Sequence, residues 1–212
     1  MCSSILLTCS FYYFVFLSFL IPKVLNGNER YITAGQNELF DIFPCQVHFF
    51  TETAPGKFFA NLNWRIEEPD GEFLSRDALQ NFVQDEKWSA HLINHDNEYL
   101  HYKDDWYVLD YEPDDNSAGI PPFALIYYRG SNDAWDGYGG AVVYTRDSKL
   151  PESLIPRLRE AVKKVNFDFD KDFTITGMYY MSNSCFQVEI RLILFKCLAF
   201  LFLIMYVYCT RR

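Results

Sequence analysis

The sequence has few basic residues and no paired cysteine motif. Its 212 residues contain 19 Lys and Arg against 28 Asp and Glu, a formal net charge of −9. Nucleic-acid binding needs clustered Lys and Arg, so this balance argues against a nucleic-acid partner. None of the six cysteines belongs to a CxxC pair, which excludes a zinc ribbon and a thioredoxin-type redox motif. The GxSxG motif of α/β-hydrolases is also missing.

The composition indicates a folded acidic domain between two terminal segments of different composition. Half of the chain is hydrophobic and 18% is aromatic, which argues against wholesale disorder. The length predicts one compact domain, with tails. Residues 29–176 hold 27 Asp and Glu against 14 Lys and Arg, a net charge of −13, whereas the ends are apolar and weakly basic. We therefore assign the domain to residues 29–176.

Residues 1–28 and 177–212 admit several interpretations. The run from Ile5 to Ile21 carries no charge, so the first segment is a signal-like sequence, a short membrane anchor or an artefact of the gene model. The second segment is apolar as well. Gly177-Met178-Tyr179 can be encoded by a splice-donor sequence, and we hypothesise that the chain after about Thr176 is intron read-through. Transcript sequencing tests this hypothesis.

Alternating hydrophobicity predicts strands in the domain. Ala60, Leu62, Trp64 and Ile66 share one face of an alternating run, whereas Phe123–Arg129 is apolar on both faces and predicts a well-covered strand. Another apolar run covers 139–145. About eight such runs, at hairpin spacing, predict a closed barrel or a sandwich.

A helix follows the strands. An apolar i, i+4 stripe from Leu150 to Val165 predicts it, and Pro156 fits only if the helix begins near Glu152 or Ser153. We expect residues 167–172 to be solvated. The fold class is therefore mainly β, a barrel with a C-terminal α-helix.

The segment Leu100–Leu109 contains a candidate catalytic acid. On a strand, Tyr102, Asp104, Trp106 and Val108 share a face that is aromatic and apolar apart from one carboxylate. Burial raises the pKa of a carboxyl, and a carboxyl that is protonated near working pH is suited to general acid catalysis. The alternative is an Asp satisfied by an Arg or by backbone N–H groups.

Other motifs give weaker signals. Tyr144 is a second candidate for chemistry, or an ordinary hydrogen-bonded barrel tyrosine. His91 and His95 are four residues apart, but the intervening sequence disfavours a helix, so we expect a loop network and no metal site. The glycines of 137–140 lack a dinucleotide fingerprint and predict a tight turn with positive φ. Cys45 is either a small buried hydrophobe or half of a disulfide with Cys185.

Long stretches of the domain resemble a known family. Two runs closely resemble the lipocalin domain of violaxanthin de-epoxidase, in its de-epoxidase-related branch. They are NHDNEYLHYKDDWYVL (94–109) and YYRGSNDAWDGYGGAVVYTR (127–146). Shorter runs extend the resemblance over about residues 30–176: YITAGQN (31–37), FDIFPCQVH (40–48) and LQNFVQD (79–85). The resemblance implies an eight-stranded antiparallel lipocalin barrel.

The resemblance also implies an activity. Members of this family reduce carotenoid epoxides with ascorbate in the chloroplast, converting violaxanthin through antheraxanthin to zeaxanthin in the xanthophyll cycle. The implied location is the thylakoid lumen or membrane, and the implied partners are a carotenoid held in the barrel, membrane lipid and a second copy of the chain at acid pH. The alternative is a non-catalytic lipocalin that binds a carotenoid or another apolar ligand.

The family's site residues carry over to this sequence. Its proposed catalytic pair falls on Asp104, which would protonate the epoxide oxygen, and on Tyr144, which would donate or relay a proton or stabilise the developing alkoxide. The matching substrate-binding positions are Asp41, Gln46, Gln80, Phe82, Tyr102, Trp106 and Tyr128.

The sequence departs from the family pattern in places. Pro44 stands where the family has Asp, and Thr51 stands where it has a second His. The family's Cys-rich N-terminal and Glu-rich C-terminal domains are not in this sequence. The family's DNTC, which supplies the disulfide partner of Cys45, would follow Thr176, where GMYY stands instead.

Overall fold

The fold is seen in a computed structural model that describes residues 25, 27, 29–43, 46–67, 73–95 and 101–176. Cys45, Pro44, the segment 177–212 and most of 1–28 lie outside the described residues, as do Asp96, Asn97 and Glu98. The described strands are β1 (Glu29–Gly35), β2 (Val47–Ala54), β3 (Lys57–Glu67), β4 (Phe73–Gln84), β5 (His91–Asn94), β6 (Lys103–Glu112), β7 (Phe123–Asn132), β8 (Trp135–Thr145) and β9 (Thr174–Ile175).

Strands β1 to β8 form a closed antiparallel barrel. Each strand from β2 to β8 pairs with the next, and β1 pairs with both β8 and β2, which closes the ring. The two-residue strand β9 pairs with β1 outside the ring. The predicted eight-stranded barrel is confirmed, and β9 is an addition that its length of two residues conceals in the sequence.

The barrel follows from alternating side chains. On β3, Phe58, Ala60 and Leu62 are buried and point into the barrel, whereas Asn61 and Asn63 lie on the outer face. Neighbouring strands β2 and β4 repeat this pattern in register. Because one face meets the core and the other meets water, these strands show the period of two expected for a half-buried sheet.

Strands β7 and β8 are covered on both faces by the interior and by a helix. Helix α1 (Ile155–Val162) lies between two 3-10 turns, Glu152–Leu154 and Lys163–Val165. Its residues Leu158, Ala161 and Val162 pack against the outer faces of β7 and β8. Pro156 occupies the first turn, where a missing N–H needs no partner, and the predicted helix is confirmed.

Arg157 attaches α1 to β6. Its guanidinium donates to both carboxylate oxygens of Asp110 at 2.8 Å and to Glu112 at 2.7 Å. The same group lies 4.9 Å above the ring of Phe123. In the described part of the chain, no helix combines the length and the apolarity needed to cross a bilayer.

The tight turn expected at residues 137–140 is wrong. Gly137, Gly139 and Gly140 lie in the extended strand β8, and the turn before it is made by the side chain of Asn132, which accepts from the N–H groups of Ala134 and Trp135. Alternate residues of β8 face the barrel, and Gly140 lies on that inward face with Tyr138 and Val142.

Residues 167–172 are not solvated throughout. They include helix α2 (Phe169–Asp172), capped by the side chain of Asp168. Phe169 is buried and stacks on Phe173, with ring centroids 5.0 Å apart. The acidic residues of the segment suggested exposure, but the alternating Phe residues anchor it beside the barrel.

Candidate functional site

Asp104 lies inside the barrel, as the alternation of β6 predicts. Its residue is 4% exposed, and the Tyr138 hydroxyl donates a hydrogen bond to its Oδ1. Burial raises the pKa of Asp104 to about 6, with a smaller contribution in the same direction from the charge of Asp105 and an opposing one from Tyr138. The carboxyl is therefore largely protonated in mildly acidic solution.

Asp41 is a second buried carboxyl. The Asn37 backbone N–H donates to its Oδ2 and the Tyr128 hydroxyl donates to its Oδ1, both at 2.8 Å. Burial raises the pKa of Asp41 to about 7 and outweighs the lowering by these hydrogen bonds. Asn37 holds the loop after β1 in place, because its side-chain amide donates to the carbonyl of Gly139 at 2.9 Å.

Gly140 leaves the space that the Asp41–Tyr128 pair occupies. A Cβ atom added at this position would lie 2.8 Å from both Asp41 Oδ2 and the Tyr128 hydroxyl. It would also lie 2.9 Å from Asn37 Cβ. Since real Cβ atoms do not approach so closely, a side chain at position 140 would displace the pair.

Tyr144 is fully enclosed and contacts His48. Nδ1 of His48 lies 2.8 Å from the Tyr144 hydroxyl, and the two residues are 5% and 1% exposed. Burial lowers the pKa of His48 to about 3, so its imidazole is neutral, and burial raises the pKa of Tyr144. His48 Nε2 is buried and has no hydrogen-bond partner among the described residues.

The middle of the barrel is lined by aromatic rings. Trp106 lies 4.5 Å from Phe82, 6.2 Å from Phe50 and 6.3 Å from Tyr144 between ring centroids. These rings pack against each other, so the interior is occupied by side chains. Two cavities of about 480 and 490 Å³ lie elsewhere, and neither is lined by Asp104 or Tyr144.

Polar atoms remain between these rings. Trp106 Nε1 and Gln80 Oε1 are buried and have no hydrogen-bond partner in the described part of the chain. A buried donor and a buried acceptor without partners are unfavourable, and each is available to a polar group of a ligand.

The other predicted binding residues have different surroundings. Gln46 is buried and its side chain donates to the carbonyl of Phe40 at 3.0 Å, which ties β2 to the preceding loop. Tyr102 is half-buried and precedes β6, which begins at Lys103. The structure thus brings Asp41, Asp104 and the three tyrosines at 128, 138 and 144 to one interior, with Gln46 and Tyr102 at its periphery.

Sequence reasoning missed Tyr138 and undervalued His48. Tyr138 shares its strand face with Gly140, Val142 and Tyr144, so extending the alternation of β8 by six residues would have found it. The turn predicted at 137–140 concealed this face. His48 lies between the inward residues Gln46 and Phe50, so the alternation of β2 would have placed it inside the barrel.

The histidines at 91 and 95 belong to an outer network. His91 Nε2 lies 2.9 Å from Asp105 Oδ1, and His95 Nε2 lies 3.2 Å from the same oxygen. His91 Nδ1 contacts Asp85 at 3.2 Å, and its ring stacks on Tyr107. Within the described residues, no group of three or more His, Cys, Asp or Glu side chains is arranged to hold a metal ion.

Comparisons with known proteins show which family the sequence resembles. The family model of the violaxanthin de-epoxidase (VDE) lipocalin domain matches residues 17–177. The chain is 51% identical over 144 residues to violaxanthin de-epoxidase of Nicotiana tabacum, which covers 68% of this chain and 29% of that protein. The same identity and length relate it to the enzyme of Arabidopsis thaliana. The chain spans about 30% of the length of these relatives.

The fold also resembles solved lipocalin structures. Apocrustacyanin C2 superposes with a TM-score of 0.52 at 14% sequence identity, over 76% of this chain and 82% of that chain. At this identity the likeness concerns the fold alone.

Proposed function

Because this chain belongs to the violaxanthin de-epoxidase lipocalin family, we propose that it reduces carotenoid epoxides, converting violaxanthin through antheraxanthin to zeaxanthin with ascorbate. The observation that carries the proposal is a barrel lined by aromatic rings in which Asp104 and Asp41 have pKa values raised to about 6 and about 7. The named relatives are chloroplastic. We propose the thylakoid lumen or membrane as the location, with membrane lipid as the source of substrate.

The chemistry needs two protons. Removal of an epoxide oxygen as water breaks both of its C–O bonds and forms a C=C bond, and it consumes two electrons and two protons. Ascorbate supplies the electrons as a co-substrate and is oxidised to dehydroascorbate. At about pH 5, Asp104 and Asp41 are both predominantly neutral acids, so the interior holds two protons for delivery.

Asp104 is the proposed first donor. Protonation of the epoxide oxygen weakens the C–O bond that opens first. Tyr144 keeps its proton because burial raises its pKa, and it stabilises the oxygen while negative charge develops there. When His48 Nδ1 carries the imidazole proton, His48 donates to Tyr144, and the phenolic O–H is free to turn to the ligand.

The other proposed binding residues hold the substrate. Phe82 and Trp106 offer apolar surface to the polyene, and Gln80 and Trp106 offer an acceptor and a donor to the hydroxyl of an end ring. Gln46 and Tyr102 support the loop side of the pocket, and Tyr128 holds Asp41. The packed rings must rotate before a polyene fits between them.

The same interior supports a second function. A barrel lined by aromatic rings binds a carotenoid or another apolar ligand whether or not its carboxyls react, so binding without turnover is the alternative.

One assay separates the two functions. The purified chain is incubated with violaxanthin, galactolipid and ascorbate at about pH 5, and pigments are separated by chromatography. Antheraxanthin followed by zeaxanthin supports the enzyme, whereas pigment bound to the protein without conversion supports the carrier. If the chain neither converts nor binds the pigment, both proposed functions are contradicted.

The role of Asp104 is tested in the same assay. We expect Asp104→Asn to lose turnover by about 100-fold or more while pigment binding is retained, because the amide cannot supply the proton. Asp77→Asn, which changes an exposed carboxyl on β4, is the matched control and should keep the wild-type rate. Full activity in Asp104→Asn would reject the assigned role.

A further inference from the structure

Asp104, Gly130 and Tyr138 form a row across three neighbouring strands. Asp104 on β6 lies opposite Gly130 on β7, and Gly130 lies opposite Tyr138 on β8. Adjacent strands are about 4.8 Å apart, so the outer two residues are separated by about 10 Å at the backbone. Their side chains nevertheless meet, because the Tyr138 hydroxyl donates to Asp104 Oδ1.

Gly130 makes this meeting possible. A Cβ atom added at Gly130 would lie 2.0 Å from Asp104 Oδ1 and 3.0 Å from Asp104 Cγ. Any other residue at this position would occupy the place of the carboxyl. The glycine is needed for space above the strand rather than for its backbone conformation.

Tyr138 is held as a hydrogen-bond donor. Its ring is half-buried and contacts Phe40 and Tyr128, with centroids 5.6 and 6.4 Å away. Burial and the neighbouring carboxyl raise the pKa of the Tyr138 phenol, so it retains its proton. Oδ1 of Asp104 therefore acts as an acceptor, and when Asp104 is neutral its own proton is on Oδ2.

We propose that Tyr138 is a positioning residue for Asp104, which fixes the carboxyl through Oδ1 so that Oδ2 is the oxygen that holds and gives the proton. Gly130 provides the space in which the two side chains meet. The consequence for turnover rests on the proposed function, whereas the contact and its effect on Asp104 do not.

Titration of Asp104 in the full chain tests the contact. The chain is labelled with ¹³C at aspartate side chains, and the Asp104 signal is identified by its loss in Asp104→Asn. Among the described residues, the other ionisable groups near Asp104 are Asp105 on its own strand, whose charge raises the pKa of Asp104, and Tyr128 on β7, whose phenol stays neutral while Asp104 titrates. The Tyr138 O–H stabilises the carboxylate, so Tyr138→Phe should move the Asp104 midpoint upward by roughly 0.5–1 pH unit.

A matched variant shows whether the effect is specific. Tyr128→Phe removes the same hydroxyl from the neighbouring tyrosine, which donates to Asp41. It should move the midpoint of Asp41 and leave that of Asp104 in place. A general loosening of the barrel would move both midpoints in both variants, and that result would overturn the proposal.

A conservative change keeps the test decisive if Tyr138→Phe does not fold. Site-specific 3-fluorotyrosine at position 138 preserves the shape of the ring and makes the hydroxyl a stronger donor, so the Asp104 midpoint should move downward. Gly130→Ala should displace the carboxyl and move the midpoint upward. An unchanged Asp104 midpoint with fluorotyrosine, in a chain with wild-type circular dichroism, would reject the positioning role.

The rate of de-epoxidation gives a separate readout. Activity that needs protonated Asp104 declines as pH rises through its pKa, and Tyr138→Phe should displace this decline to higher pH. A change in maximal rate alone, with the pH profile in place, would indicate a purely structural tyrosine. If the wild-type chain shows no turnover, the proposed function fails, and the titration still decides whether Tyr138 positions Asp104.

Discussion

At the scale of single residues, Asp104 lowers the stability of the fold above neutral pH. In the unfolded chain its carboxyl ionises near pH 4, whereas burial raises the folded pKa to about 6. Folding then takes up a proton between these values, so the unfolding free energy rises as pH falls from about 6 to about 4. A group that reduces stability in this way is typical of a functional site.

Asp104→Asn should remove this contribution. At about pH 8 we expect the variant to be more stable than the wild type by about 1–3 kcal/mol, because an amide is not ionised when buried. Urea unfolding of both proteins at about pH 4 and about pH 8 measures the difference. Equal pH dependence in the two proteins would contradict the buried-acid interpretation.

His48 acts in the opposite direction. Its folded pKa is lowered to about 3, whereas an unfolded histidine titrates near pH 6.5. Between these values the unfolded chain binds a proton that the folded chain excludes, so this residue reduces the unfolding free energy as pH falls, by at most about 1.4 kcal/mol per pH unit. His48→Gln should lose this acid sensitivity in urea unfolding from about pH 6.5 to about pH 3.5.

His95→Gln is the control for that measurement. The His95 side chain is 46% exposed and contacts Asp105 on the outer surface. We expect it to keep most of the wild-type pH profile. If His95→Gln and His48→Gln change the profile equally, the buried imidazole is not the source of the acid sensitivity.

The sequence predicted single residues where the backbone alternates regularly. Asp104 was found because β6 places every second residue inside, and its aromatic neighbours on that face identify the inner side. Tyr138 was missed because three nearby glycines resembled a turn. Its partner lies two strands away, and a contact of that kind depends on register and on the space above Gly130, neither of which local pattern reveals.

At the scale of elements, one arginine joins α1 to the barrel in addition to the apolar packing of the helix. Arg157 donates to Asp110, Glu112 and the carbonyl of Tyr111, and its guanidinium covers the ring of Phe123. Bidentate, partly buried ion pairs with additional hydrogen bonds contribute more than isolated surface pairs.

Arg157→Ala should therefore loosen the helix. We expect the unfolding free energy to decrease by about 1–2 kcal/mol, and amide exchange in α1 to accelerate. Arg159 is on α1 as well, and Arg159→Ala removes an exposed ion pair with Asp170 of α2, so this variant should change little. Comparable losses in the two variants would contradict a specific contribution of the Arg157 contacts with β6, because alanine is a better helix former than arginine.

An element was predictable when its hydrophobic periodicity and the residues typical of its ends indicated the same bounds. Pro156 and the apolar stripe placed α1 within a few residues, because proline is tolerated only in a first turn. Helix α2 was missed because its four residues are too few for a periodic signal. Phe169 and Phe173 are buried in the apolar cluster between α1 and the outer faces of β7 and β8. This tertiary contact outweighs the tendency of the neighbouring acidic residues to be exposed.

At the scale of the whole molecule, the net charge predicts how association depends on pH. Residues 29–176 carry a net charge of −13, and copies of such a domain repel each other at neutral pH. Protonation of carboxylates reduces this repulsion, so we expect self-association when the pH is lowered from about 7 to about 5.

Sedimentation velocity measures this association. A homodimer at about pH 5 and a monomer at about pH 7 are the expected species, and salt at about 0.5 M should shift the neutral sample toward the dimer by screening. A monomer under all three conditions would contradict the prediction.

The barrel architecture was predictable as a whole, and the state of its interior was not. Eight alternating runs at hairpin spacing and the family-like segments determine the strand number and the topology. Ring rotation determines whether space remains between Phe50, Phe82 and Trp106, and alternation says only that these side chains point inward. The resemblance led to an expected polyene channel, and the structure has packed rings there.

The cover provided by α1 makes two walls of the barrel different. Strands β7 and β8, which carry Tyr128, Tyr138 and Tyr144, are backed by the helix, whereas the outer faces of β2 to β4 meet solvent. A guest that needs room should displace the unbacked wall, with its Phe50 and Phe82 rings, and leave the tyrosines in place. We therefore expect a bound ligand to shift the rings of Phe50 and Phe82 more than the hydroxyls of Tyr128 and Tyr144.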